Sequence, residues 1–245
     1  MNRQVKWISH RGESAIAPEN TVAAHRVARE LGTDGSECDV WLTKDGKVIV
    51  CHNATTGMMA DRDLSVPGST FDELRALTVA NTDPAYQHER FATLPEIVAE
   101  LGPGRELYLE LKGKDLALVP AVVAEVQACG LEPERCVFIG FDALLMQAVK
   151  AALPQYRMLY LTGVSYYPRV EELIAMLKAI HADGVDISYA GESPAIADYY
   201  RALHEAGFYV AVWTIDFPGL ARRFIGYGAD AITSNRAAAL KALIG

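Results

Sequence analysis

Short apolar runs alternate with helix-periodic stretches along the whole chain. The runs are Val5–His10, Ser36–Leu42, Leu107–Leu111, Cys136–Phe141, Met158–Leu161, Gly184–Ile187, Tyr209–Thr214 and Ala229–Thr233. Each is nearly continuous in apolar character, as expected of strands covered on both faces, and their alternation with helices is the rhythm of parallel βα units. Eight such units favour closure into an α/β barrel. Gly32, Gly130, Gly207 and Gly228 stand where the preceding helices need a left-handed stop. Thr70-x-x-Glu73 reads as a capping box ahead of Leu74 and Leu77, and Ser193-Pro194 as an N-cap followed by a first-turn proline. Thr33-Asp34-Gly35, Ala182-Asp183-Gly184 and Ala229-Asp230-Ala231 echo one another where helices give way to strands.

The rhythm breaks once. Lys44-Asp45-Gly46-Lys47 is a turn signal between Trp41-Leu42-Thr43 and Val48-Ile49-Val50, which predicts a short hairpin returning His52 to the strand ends. From about residue 53 to 93 the chain is longer than a βα connection requires. Gly57, Pro67-Gly68 and Asn81–Pro84 predict a loop-rich insertion there, placed to roof whatever lies at the barrel mouth.

A length of 245 residues suits one α/β barrel, so residues 1–245 are expected to form a single domain that includes the insertion. Against 31 Asp plus Glu there are 23 Lys plus Arg, a formal charge of −8 that argues against nucleic acid or an anionic membrane as partner. An anionic ligand must therefore meet a local positive site. Cys38, Cys51, Cys129 and Cys136 lack zinc-like pairing and read as reduced thiols, mostly buried. No signal-peptide pattern or bilayer-length apolar run is seen, so the expected location is cytoplasmic, with no membrane-spanning segment. Assembly into a homo-oligomer is left open.

Chemistry-bearing residues gather at the predicted strand ends. Glu37 and Asp39, two apart on a strand, share one face, and Glu110 lies similarly with Lys112 beside it. Such a pair serves equally well in a salt-bridge layer. Three converging carboxylates, however, repel one another unless a hard divalent cation such as Mg²⁺ or Ca²⁺ holds them ionised. His10 and His52 both end apolar runs, and two imidazoles at one mouth suit the paired proton transfers that breaking a P–O bond demands. Which is acid and which is base is left open. Arg11 is suited either to pairing with Glu19 or to gripping phosphate, and Lys112 can bind a phosphate oxygen or Glu110. Asn20-Thr21 is expected mainly to cap a helix, with Gly12 permitting a turn. Trp213 suits ligand contact as well as core, whereas Phe141 is expected in the core. His25, His88, His181 and His204 receive no catalytic role.

With these residues in place, the chain resembles the glycerophosphodiester phosphodiesterase family. The resemblance rests on His10-Arg11-Gly12, Pro18-Glu19-Asn20-Thr21, Glu37-x-Asp39-Val40, Thr43-Lys44-Asp45-Gly46, Val50-x-His52, Leu94-Pro95-Glu96 and Glu110-Leu111-Lys112. It continues through Val212-Trp213-Thr214 and Gly228-Ala229-Asp230-Ala231-Ile232-Thr233. It implies a TIM (β/α)8 barrel with a small insertion after the second strand region. It also implies one divalent cation held by Glu37, Asp39 and Glu110, catalytic His10 and His52, and substrate contacts from Arg11 and Lys112. The implied activity is hydrolysis of a small-molecule glycerophosphodiester to glycerol 3-phosphate and an alcohol. Asn53, Gly140 and Asp216 depart from the family pattern, which expects Asp, Ser and Asn respectively. Two alternatives remain: a lysophospholipid phosphodiesterase or phospholipase D-like lyase that forms a cyclic phosphate, and a noncatalytic phosphoester-binding barrel.

Overall fold

The computed structural model describes residues 4–79, 84–163, 169–189 and 195–245. Ser193-Pro194 and most of the Asn81–Pro84 signal therefore lie outside the described residues. The strands are β1 (Lys6–Ser9), β2 (Gly35–Leu42), β3 (Val48–Val50), β4 (Glu106–Leu111), β5 (Cys136–Gly140), β6 (Arg157–Thr162), β7 (Gly184–Ser188), β8 (Tyr209–Trp213) and β9 (Ala231–Ser234). Helices α1 (Val22–Glu30), α2 (Phe71–Arg75) and α3 (Leu94–Leu101) precede β4. The remaining helices follow β4 to β9 in turn: α4 (Leu118–Ala128), α5 (Ala143–Ala152), α6 (Val170–Ala179), α7 (Ile196–Glu205), α8 (Pro218–Tyr227) and α9 (Ala237–Ile244).

Parallel pairing runs from β1 through β9, β8, β7, β6, β5 and β4 to β2, and β1 pairs β2 to close an eight-stranded TIM barrel among the described residues. All eight predicted runs are its strands. Alternation within each strand sorts the side chains: Leu107, Leu109 and Leu111 of β4 pack outward under the helices, while Tyr108 faces the interior with Ile8, Val137, Leu159 and Ala211. β3 is the exception, antiparallel to β2 through Val40 opposite Val50, and it is the expected hairpin.

The three Asp echoes have a shared structural reason. Asp34, Asp183 and Asp230 each accept a backbone N–H of the preceding strand, from Trp7 at 2.9 Å, Met158 at 2.8 Å and Val210 at 2.8 Å. Each Asp thus bonds its neighbour strand at the N-terminal end of the barrel, through its side chain as well as its backbone. The four stop glycines all adopt positive φ, from 60° at Gly130 to 96° at Gly228. The four cysteines form no disulfide. No helix among the described residues is long and apolar enough to cross a membrane.

The described residues of the insertion are mostly turns and loops. The segment packs a small core of its own from Ile49, Cys51, Val66, Leu74, Leu77 and Phe91. The Thr70–Glu73 capping box forms as predicted, and Arg75 holds Glu96 of α3 through paired contacts of 2.9 and 2.8 Å. Past Asn53 no described residue of the insertion lines the central pocket, while Met59, Val79 and Phe91 line a small neighbouring cavity together with His52. Most of the insertion's described apolar side chains pack in its small core, and Tyr86 packs beside α1, whereas Met58 is exposed.

His25 of α1 is buried with Nδ1 2.8 Å from Ser36 Oγ, and burial lowers its pKa to about 3. Unfolding frees this imidazole to bind a proton that the folded state refuses, so stability falls as pH drops from about 6.5 towards 3. We expect His25→Asn to reduce the acid loss of stability by about 1 kcal/mol per pH unit across that window. Urea unfolding from pH 7 downward measures this, and parallel pH profiles for the two proteins would refute it.

Candidate active site

The strand ends bring the sequence-selected residues together. His10, Arg11, Glu37, His52, Glu110, Lys112 and Trp213 line one pocket, about 340 Å³ when the space open to solvent is counted, with Phe141, Asp186 and Thr233 among the other walls. Asp39 lies just behind it, 1% exposed. The strand register explains the convergence, since Asp39 pairs directly with Glu110 across the β2–β4 ladder.

Local backbone geometry serves the acids. Arg11 and Asn20 have φ of 56° and 58°, a left-handed conformation that non-glycine residues seldom adopt. In it, the Arg11 N–H donates to Glu37 Oε2 at 2.9 Å, and Asn20 grips Asp39 twice, through Nδ2 donating to Oδ2 at 2.8 Å and Oδ1 accepting from the backbone N–H at 3.2 Å. Gly12 is needed for close approach as well as for its turn: a Cβ there would lie 2.5 Å from Ala24. Thr21 caps α1 as expected, but Asn20 is an orienting residue that capping logic alone missed.

Both basic residues make the carboxylate pairs that were one of their two readings. Arg11 contacts Glu19 at 2.9 Å and Asp39 at 3.5 Å, while Lys112 contacts Glu110 at 2.8 Å and Asp39 at 3.3 Å. These two cations hold Asp39 below the usual carboxylate range against the opposing effect of burial. They do not suffice for the whole cluster. Burial, then Asp39 and Glu110, pushes Glu37 well up, and burial with Asp39 pushes Glu110 to about 8. Donor oxygens from Glu37, Asp39 and Glu110 lie within 4.8 Å of one another, and Asp39 Oδ1, in ion-pair contact with Lys112, has no hydrogen-bond partner among the described residues. Three buried carboxylates short of positive charge fit a hard divalent cation.

The two histidines are held alike. His10 Nδ1 lies 2.8 Å from Asn235 Oδ1 and His52 Nδ1 lies 2.9 Å from Asn53 Oδ1. A carbonyl oxygen accepts, so each Nδ1 carries the proton and each Nε2 is left to act. Burial, helped by Arg11, lowers His10 to about 4, and burial lowers His52. Asn235 is fixed in turn by Asp216, which accepts from its backbone N–H at 2.9 Å and its Nδ2 at 2.6 Å, and from Ser234 Oγ at 2.8 Å. The Asp at this departure position therefore takes three donors. Sequence reasoning missed Asn235; barrel closure of β9 against β1 was the signal that could have placed it beside His10.

Asn53 contacts His52, so Asn53→Asp should raise the apparent pKa of His52 by adding a carboxylate beside the imidazolium. Histidine NMR titration checks this, and superimposable curves would deny position 53 any tuning role. Phe141 corrects its expected core assignment: it is 47% exposed and meets Trp213 edge to face at 5.8 Å. Its place one residue beyond β5 puts it on the rim.

A family model described as the glycerophosphoryl diester phosphodiesterase family matches residues 10–239. A glycerophosphodiester phosphodiesterase of Caldanaerobacter subterraneus is 28% identical over 234 residues, 93% of each chain. Among solved structures, a phosphodiesterase of Oleispira antarctica in complex with the product sn-glycerol-3-phosphate aligns with TM-score 0.88 and 25% identity, covering 97% of this chain and 95% of that one. The glycerophosphodiester phosphodiesterase of Thermotoga maritima shares the fold at TM-score 0.80 and 23% identity, over 99% of this chain and 100% of its own.

Proposed function

This chain belongs to the glycerophosphoryl diester phosphodiesterase family, and from that premise we propose that it hydrolyses glycerophosphodiesters to glycerol 3-phosphate and an alcohol, with His10 and His52 exchanging the protons. The observation that carries the reading is one pocket holding both imidazoles, two basic side chains and the acidic triad. On this reading residues 1–245 work as one domain.

Glu37, Asp39 and Glu110 are the residues that would hold the cation, and Asn20 and the Arg11 backbone fix the acids for that task. A bound divalent cation supplies Lewis-acid stabilisation of charge developing on phosphate oxygens. Arg11 and Lys112 bind the remaining phosphate oxygens, exchanging part of their contact with Asp39, Glu19 and Glu110 for the anionic ligand. One imidazole Nε2 accepts the nucleophile's proton, while the other ring, entering the step as the imidazolium, gives its Nε2 proton to the departing alcohol oxygen, and exchange with solvent restores both rings. The nucleophile is either water or a substrate glycerol hydroxyl, whose attack gives a cyclic phosphate that water then opens.

Phosphorus NMR during turnover of glycerophosphocholine, glycerophosphoethanolamine, glycerophosphoinositol and lysophospholipids, with Mg²⁺ or Ca²⁺ supplied, tests the proposal. Glycerol 3-phosphate is the expected product, and inactivity on every diester would overturn it. A lysophospholipid substrate is the second reading, favoured by exposed Phe141 on the pocket wall and by exposed Leu144 and Phe217 at the starts of α5 and α8. Cleavage confined to acylated substrates, with cyclic phosphate accumulating, would select it.

A further inference from the structure

The wall of the pocket opposite the acidic triad carries an unexplained group. On β7, Val185 and Ile187 pack outward under the helices, so Asp186 faces into the barrel, beside Leu161 of β6 and Ala211 of β8 in the ladder. It lines the pocket, is 1% exposed, and its Oδ1 has no hydrogen-bond partner among the described residues. The contrast with Asp34, Asp183 and Asp230 is direct, because those three are held by backbone N–H groups. A carboxyl left unpartnered among apolar neighbours destabilises the fold relative to an apolar residue of similar size, so the position calls for a ligand.

Among the described residues three others lining this pocket hold a buried polar atom without a hydrogen-bond partner: Arg11 Nε, which lies on the charged side, and Trp213 Nε1 on β8 and Thr233 Oγ1 on β9. Indole N–H donates, a hydroxyl donates or accepts, and a carboxyl oxygen accepts. The pocket thus has two chemically distinct walls. One, from β1, β2 and β4, carries full charges suited to a phosphoryl group and a cation. The other, from β7 to β9, offers hydrogen-bonding atoms of mixed polarity beside the apolar faces of Leu161 and Trp213, which suits the hydroxyls and carbons of a small polyol. Asp186 is outside the three carboxylates whose donor oxygens cluster within 4.8 Å, although the charge of Glu110 reaches it and adds to burial in pushing its carboxyl well above the usual range.

We propose that Asp186, flanked by Trp213 and Thr233, binds a free hydroxyl of the glycerol unit and thereby sets the preference for glycerol esters over simple alkyl esters of phosphate. The proposal rests on the reading of this pocket as a glycerophosphodiester site. Removing a buried carboxyl partner of a hydroxyl costs binding about 10–100-fold, whereas a ligand that never had the hydroxyl loses nothing.

The test is calorimetric titration of the full chain, with Mg²⁺ supplied, by sn-glycerol 3-phosphate and by n-propyl phosphate, which lacks both hydroxyls. The wild-type protein should favour glycerol 3-phosphate by about 10–100-fold. Asp186→Leu should melt no lower than wild type, keep its Mg²⁺ affinity and largely lose the preference by weakening glycerol 3-phosphate alone; Asp186→Ala is the second variant should leucine disturb packing. A folded variant that retains the preference overturns the proposal. So does one that loses Mg²⁺ affinity while still discriminating, or a wild-type protein that binds the two phosphates equally. If glycerophosphocholine is nevertheless cleaved, the hydrolase reading survives such a failure; a wild-type protein that binds neither phosphate and cleaves no diester overturns both.

Discussion

His10→Ala and His52→Ala are each expected to lower turnover about 10²–10⁴-fold, the usual contribution of one proton-transfer group, with the barrel still folded. Both rings sit at the pocket with Nδ1 engaged by an asparagine oxygen, so the lost function is that of Nε2. The two single losses should not add in the double variant, because nucleophile activation and departure of the alcohol belong to one bond exchange. Folding is spared for a physical reason: each imidazole lies at a strand end on the pocket wall, outside the clusters of outward-facing apolar residues that join the sheet to the helices. Steady-state kinetics on glycerophosphocholine, with circular dichroism for the fold, provides the measurement. Near wild-type turnover in a folded double variant would remove both histidines from the mechanism, and a loss in only one single variant would make the other ring structural.

Chelation is expected to abolish activity, and Glu37→Gln, Asp39→Asn and Glu110→Gln should each weaken cation binding by at least about 10–100-fold, the range seen when even outer supports of a metal site are lost. The three substitutions differ in their other consequences. Glu37→Gln and Glu110→Gln relieve mutual repulsion in the cation-free cluster, where burial and neighbouring carboxylates already favour protonation. These two should therefore raise stability without cation while removing the affinity. Asp39→Asn instead strips Arg11 and Lys112 of a shared counter-ion, leaving two buried cations less compensated, and is expected to destabilise the fold. Calorimetry of Mg²⁺ and Ca²⁺ binding and thermal melts with and without cation read both effects. Undiminished affinity in all three variants would sink the metal assignment.

The barrel was legible because its determinants are local and periodic. Each barrel strand is a short apolar run, the four expected helix stops are glycines with positive φ, and the hairpin turn is written in Lys44–Lys47. The pairing of Glu37 with Asp39 on one face followed from strand alternation alone. So did the outward course of Cys38, which packs beneath the helices. The insertion was visible as an overlong connection, but its position was not, since that depends on how its apolar residues pack among themselves and beside α1.

What sequence reading could not supply is which residues distant in the chain touch. His10 meets Asn235, Asn235 meets Asp216, and Asn20 meets Asp39 only because closing the barrel sets β1 beside β9 and the loop before α1 beside β2. Likewise Asp186 reads along the chain as an ordinary polar residue in a strand. Its missing hydrogen-bond partner becomes visible only when every neighbour in the barrel interior is known. Residue type and strand period determined which groups could do the chemistry and which face they shared. Barrel closure decided which of them touch, which lack charge compensation and which remain open to a ligand, because hydrogen bonding and Coulombic coupling depend on distance through space and not on separation along the chain.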